Sequence, residues 1–226
     1  MIGCGALARE LLHVVEANGL GNVRVECLPA IYHNTPERIT PAVRERLERS
    51  GEYDRVFVAY ADCGTGGHLQ ALVAEFGAEM LEGAHCYQFF AGQREFEEMQ
   101  DAEIGTLYLT DYLARHFDRF IWQGLGLDQH PELLADYFGN YTKVTYLAQT
   151  DNPDRTAQAK EAAERLGLTF ERRFVGYGEM EPALIGASRT SGNTAHADEI
   201  SSEFPPETPT PSQGAGANSP QVEVTQ

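Results

Sequence analysis

Three cysteines stand in settings that a soft metal could use. Cys4 lies in Gly3-Cys4-Gly5, Cys63 in Asp62-Cys63-Gly64-Thr65-Gly66-Gly67, and Cys86 in His85-Cys86-Tyr87. Three thiolates suit Zn²⁺ or an iron–sulfur cluster, and they leave a fourth position for His85, water or substrate. A catalytic metal requires an open position of that kind. The glycines after Cys63 let backbone amides approach a bound anion, so Gly64, Thr65, Gly66 and Gly67 are expected to form a cradle. Asp62 is the candidate general base or supporting acceptor, and His85 the candidate proton donor. The bland alternative is that these thiols pack as small buried hydrophobes in tight turns. No Cys-x-x-Cys pair occurs, so spacing alone does not choose between the two.

A second pattern competes for the same turn. Gly3-x-Gly5-x-x-Ala8 matches the dinucleotide fingerprint, and Glu26 follows at a spacing suited to a ribose hydroxyl. On that reading the chain is a nucleotide-binding oxidoreductase or transferase. The remaining histidines have simpler roles: His68 as a helix start, His13 and His116 on helices, His130 before Pro131, with His33 in a loop that could face the cysteines. Cys27 has no glycine or histidine beside it and reads as core.

What must position these residues is an alternation of strands and helices. Strands are expected over Val23–Leu28, Arg55–Ala61, Ala78–Leu81, Thr106–Leu109, Lys143–Ala148 and Leu168–Val175, with Met1–Ile2 as a stub. Helices are expected over the segment after Gly5, Thr40–Ser50, His68–Phe76, Asp111–Gln123, and from a Thr150 or Asp151 cap to Leu166 before Gly167. This alternation predicts an α/β fold, doubly wound, with a mainly parallel sheet and helices on both faces. In such a sheet, ligands collect outside the carboxyl ends of the strands. Cys4, Cys63 and Cys86 each follow a strand and precede a helix, so all three fall on that edge. Helix N-termini there are expected to favour thiolates.

The chain has 226 residues and a formal net charge of −17. Residues 1–186 suffice for a single α/β domain. Residues 187–226, rich in Ser, Thr, Pro, Gly and acidic side chains, are expected to be a disordered tail that includes His196. The acidity argues against nucleic-acid or anionic membrane partners. No run is apolar enough to span a bilayer, and the first ten residues lack a signal-peptide pattern. The expected setting is the reducing cytoplasm, with a small-molecule substrate.

The segments CGALARE, HNTPE, YADCGTGG, HCYQFFAG, LTDYLARHFD, GLGLDQHPELLADYFGNY and YLAQT, in that order, together resemble an uncharacterised prokaryotic family, domain of unknown function 1638. The likeness runs over residues 1–180, and Cys4, Cys63, His85 and Cys86 fall on the family pattern while Cys27 does not. The resemblance implies a companion of corrinoid-dependent methyltransferase systems for one-carbon substrates, with a corrinoid protein or methyltransferase as partner. Three functions follow as expectations: a three-cysteine metalloprotein of methyl transfer, a nucleotide-binding enzyme, or a non-catalytic accessory of a methyltransferase.

Overall fold

The computed structural model describes residues 1–81 and 83–189. Two parallel sheets carry the α/β fold. The first contains β1 (Ile2–Cys4), β2 (Glu26–Leu28), β3 (Phe57–Ala59) and β4 (Glu79–Met80), in the order β2-β1-β3-β4. The second contains β5 (Thr106–Leu109), β6 (Lys143–Ala148) and β7 (Thr169–Phe174), in that order. In the first sheet the chain winds outward from β1 to β2 and then returns to lay down β3 and β4. The direction therefore switches between β1 and β3, where a crevice opens at the carboxyl ends of open α/β sheets.

Local sequence explains most elements. β1 and β3 are buried along their whole length, as central parallel strands must be. Edge strand β7 instead has no fully buried residue, and its Glu171 pairs with Lys143 on β6 at 2.9 Å. Helix α1 (Ala8–Ala17) turns Leu11, Val14 and Val15 inward at helical spacing. The first core surrounds β1 and β3 and receives α1, α2 (Ile39–Glu48) and α3 (His68–Glu75). A second core joins β5 and β6 to α6 (Asp111–Arg115) and α8 (Pro153–Leu166).

Several expectations shift. Strands β2, β3 and β4 are shorter than their apolar runs, although Tyr60 and Ala61 beyond β3 remain fully buried. The predicted helix over 111–123 breaks into α6 and a π turn, Asp118–Trp122, in which Phe120 is buried. Helix α8 is capped by Asn152, whose Oδ1 accepts the Asp154 and Arg155 amides at 2.9 and 3.2 Å. It ends at Gly167 with φ +71, as the sequence indicates. The helix expected after Cys86 is α4 (Tyr87–Ala91) and that after His130 is α7 (Leu134–Phe138), whereas α5 (Gln93–Ala102) and α9 (Met180–Ser188) were not anticipated. Helix α9 returns to the first core, burying Met180 and Leu184 beside α1. It passes the domain boundary expected at residue 186. The rest of the predicted tail, 190–226 with His196, lies outside the described residues. Among the described residues, no helix is long and apolar enough to cross a membrane.

Candidate functional site

Each strand of the first sheet delivers one soft donor at or just beyond its carboxyl end. Cys4 closes β1 in extended conformation, and its Sγ accepts the Ala6 amide at 3.3 Å. His33 sits in the 3-10 turn after β2, with Nδ1 and Nε2 at 3.7 and 4.0 Å from the Cys4 sulfur. Its Nδ1 also lies 3.0 Å from the Ala30 carbonyl oxygen. Cys63 follows β3 with φ 50, the one non-glycine residue with positive φ among those described. Such a conformation persists only where its surroundings enforce it. Here the Asp62 and Cys63 amides donate to the Gly83 and Ala84 carbonyls, each at 3.0 Å. Those bonds stitch the Cys63 loop to the loop carrying Cys86, which stands immediately before α4.

Burial, rather than helix ends, governs the thiols. It pushes Cys4 up to about 12, opposed by the Ala6 amide and reinforced by nearby Cys63. Burial pushes Cys63 up to about 11, and raises Cys86 well above the ordinary range with help from Cys63 and Cys4. The expectation of low-pKa thiolates is therefore corrected. The helix after Cys86 has only five residues, too short a dipole to offset desolvation. The three thiols feel one another's charge, yet among the described residues no three His, Cys, Asp or Glu side chains converge closely enough, as placed, to hold an ion.

Tyr60 is a site residue that the sequence did not single out, and His33 one that it offered only as able to face the cysteines. The Tyr60 hydroxyl is buried beside the Cys4 thiol, and its ring lies nearly parallel to His33 at 6.3 Å between centroids. Burial first, and then the neighbouring Cys4, push its ionisation up. Burial lowers His33, the Ala30 carbonyl opposes that, and His85 nearby adds to the lowering. His33 was visible as a candidate from its loop, but only the pairing of β2 with β1 sets it against Cys4.

The other chosen residues take different places. Asp62 turns inward on its own loop, where its carboxylate accepts Thr65 Oγ1 at 2.8 Å and the Gly67 and Gly66 amides at 2.7 and 3.2 Å. Burial alone would raise this carboxyl, but the bonds from Gly67, Thr65 and Gly66 outweigh it and hold it below the usual range. The Gly64–Gly67 cradle thus holds Asp62 itself, and Asp62 is engaged as a loop-former. His85 is exposed, with its backbone amide on Gln88 Oε1 at 3.2 Å. Cys27 is half-buried against the first core, as read.

The glycines of the dinucleotide pattern are tightly packed. A Cβ at Gly5 would lie 2.7 Å from the Leu28 carbonyl oxygen, and one at Gly3 would strike the Leu11 side chain. These glycines serve close packing of the turn against β2 and α1. Glu26 begins β2, at the opposite end from the crevice, and pairs with Arg46 at 3.0 Å.

The carboxyl edge of the second sheet meets the first where α6 packs on the turn after β1. Asp111 ties this edge together, accepting the Tyr146 hydroxyl at 2.6 Å and the Gln149 amide at 3.0 Å. Tyr112 lies within the electrostatic reach of Cys4 and packs at a tilt against His116, with ring centroids 4.6 Å apart. Burial lowers His116, and Arg115, Arg119, Arg155 and Arg9 lower it further. Glu10, also buried here, is lifted to about 7 by desolvation, with Asp111 adding to it and Arg9 and Arg115 opposing. A shallow cavity of about 320 Å³ opens at the amino-terminal end of the first sheet, around Tyr53, Arg55 and Glu79. There Arg55 is neutralised by Glu79, and no thiol or histidine lines the wall.

Comparison with known proteins gives one match, a family model described as "Protein of unknown function (DUF1638)", over residues 27–184. It spans well over half of the chain and contains His33, Cys63, His85 and Cys86, while Cys4 precedes it. No curated protein and no solved structure matches.

Proposed function

Because the chain belongs to the DUF1638 family, whose description names no activity, we propose from the site itself that it binds a thiophilic metal ion or iron–sulfur cluster through Cys4, Cys63 and Cys86. The observation that carries this reading is that Cys4, Cys63 and Cys86 stand at or beyond separate strand ends of one sheet, Cys4 and Cys63 buried and Cys86 half-buried, with backbone bonds joining the Cys63 and Cys86 loops. Burial and mutual repulsion keep each proton on its sulfur, and a cation supplies the compensating charge that would let the thiolates form. All four cysteines are free, as a reducing compartment such as the cytoplasm would keep them. Three sulfur donors select zinc or an iron–sulfur cluster over hard cations. Among the described residues no three such donors stand close enough as placed to hold an ion, so binding requires them to draw together.

The role suggested by family resemblance is corrin-linked methyl transfer, with a corrinoid protein or methyltransferase as partner. The test is metal analysis and an absorption spectrum of the full chain purified without chelator, repeated after anaerobic reconstitution with zinc or with iron and sulfide. A stoichiometric metal that is lost in Cys63→Ser and Cys86→Ser is the expected result. Absence of metal before and after reconstitution would overturn the reading.

A further inference from the structure

We infer that the outer edge of β7 is the surface on which a second copy of this chain docks, its own β7 pairing antiparallel so that the two three-stranded sheets join into one. This holds whether or not the thiols bind metal. An unpaired strand at the side of a sheet invites pairing, and proteins that stay single shorten, bend or interrupt such edges. The other edges here are short: β2, β4 and β5 run three, two and four residues. Strand β7 runs six residues in unbroken register with β6, without proline or glycine. Among the described residues no strand pairs with its outer side. Phe174, at its carboxyl end, is 62% exposed.

The backbone decides which groups a partner meets. Thr169 and Val175, at the two ends of β7, donate their amides to the Thr142 and Ala148 carbonyls on the β6 side, at 3.1 and 2.9 Å. Amide direction alternates along a strand, so the amides and carbonyls of Phe170, Arg172 and Phe174 face outward. A two-fold axis normal to the sheet keeps each face of β7 on the same side in both copies, so opposed residues must share a face. The registers that meet this rule and overlap most of the strand are centred on Glu171, Arg172 or Arg173.

Side-chain chemistry selects among the three. Centred on Glu171 or on Arg173, the strand sets that residue against its own copy at the closer spacing of about 4.5 Å between Cα atoms, where like charges repel. Centred on Arg172, it sets Glu171 against Arg173 of the second copy at that close spacing, and Phe170 against Phe174, each twice by symmetry. Phe170 already packs on the second core, so it offers a held ring to the exposed Phe174. Within one chain Arg173 reaches Glu171 at 2.7 Å, and the two copies bring these charges into one cluster of alternating sign. Only Arg172 meets its like, at the wider hydrogen-bonded spacing of about 5.5 Å, and Asp151 compensates each guanidinium at 2.7 Å. The strand carries one acidic and two basic side chains in a chain of net charge −17, so an approaching copy is repelled less here than over an average face.

Sedimentation equilibrium of the full chain over a concentration series tests this docking. The wild type should form dimers. Glu171→Arg and Arg173→Glu each set like charges opposite one another and should weaken self-association by at least about 10-fold. In an equimolar mixture of the two variants the opposed charges are complementary again, so a mixed dimer should recover wild-type affinity to within a few-fold, which also shows that both variants fold. In the unaltered protein, the amides of Phe170, Arg172 and Phe174 should exchange with deuterium at least about 10-fold more slowly at dimer-forming concentrations than on dilution. A wild type that stays monomeric up to its solubility limit would overturn the inference. So would a dimer indifferent to both single reversals, a mixture that stays monomeric, or outward β7 amides that exchange alike at every concentration.

Discussion

Replacing Glu10 with Gln should remove a pH gradient from the stability of this protein. Glu10 is 7% exposed on α1, and burial lifts its carboxyl from an ordinary 4.5 to about 7. Between those values the folded protein holds a proton that the unfolded chain has released. Its favourable contribution is therefore complete below pH 4.5 and is lost as the pH rises through 7. At about 1.4 kcal/mol per pH unit, this amounts to roughly 3 kcal/mol. Gln has nearly the same shape and carries no charge at any pH. His33 and His116 have lowered values and act in the opposite sense, gaining stability as the pH rises, but they are common to both proteins. The comparison thus isolates Glu10. Thermal unfolding of both proteins from pH 4.5 to 8, at constant ionic strength, reads the effect. Relative to E10Q, the wild type should lose about 3 kcal/mol across that range, or roughly 6–12 °C for a domain of this size. A constant offset between the two curves would refute the reasoning, because it would mean that Glu10 ionises alike in the folded and unfolded states.

Two further substitutions probe the frame around the site. Gly178→Ala places a methyl carbon 2.2 Å from the Phe90 carbonyl oxygen at φ +49, whereas Gly167→Ala at φ +71 meets nothing within 4 Å. The second should cost about 1 kcal/mol from backbone strain alone and the first at least about 3 kcal/mol, with faster hydrogen exchange in α9; equal losses would contradict the packing described. Asp62→Ala strips the Gly66 and Gly67 amides of their acceptor and removes a charge that raises Cys63. Stability should fall by about 1–3 kcal/mol and Cys63 should react with a thiol reagent at least several-fold faster at pH 8, while an unchanged rate would mean the loop does not hold that cysteine.

The elements legible in the sequence are those whose signal is local. The strands Thr106–Leu109 and Lys143–Ala148 appear at their expected bounds, because a short apolar run flanked by polar residues carries its own limits. The glycine stop at Gly167 needs only a left-handed φ at one residue. By contrast, Gln93–Ala102 buries little beyond Phe96 and Met99, so its helix is fixed by what it packs against, not by a strong stripe. In the Asp62 loop the residue types were readable and their direction was not. Glycine amides seek the nearest anion, and the nearest one belongs to the loop itself.

Composition and strand–helix alternation thus determine the α/β class and put a cysteine after each of three strands, since both properties are written residue by residue along the chain. Tertiary structure alone decides that these strands divide into two sheets, that β2 lies beside β1, and that His33 comes to rest against a thiol 29 residues away. It likewise decides that the thiols are buried deeply enough to keep their protons. Strand order and desolvation are properties of neighbours distant in sequence, and no local pattern encodes them.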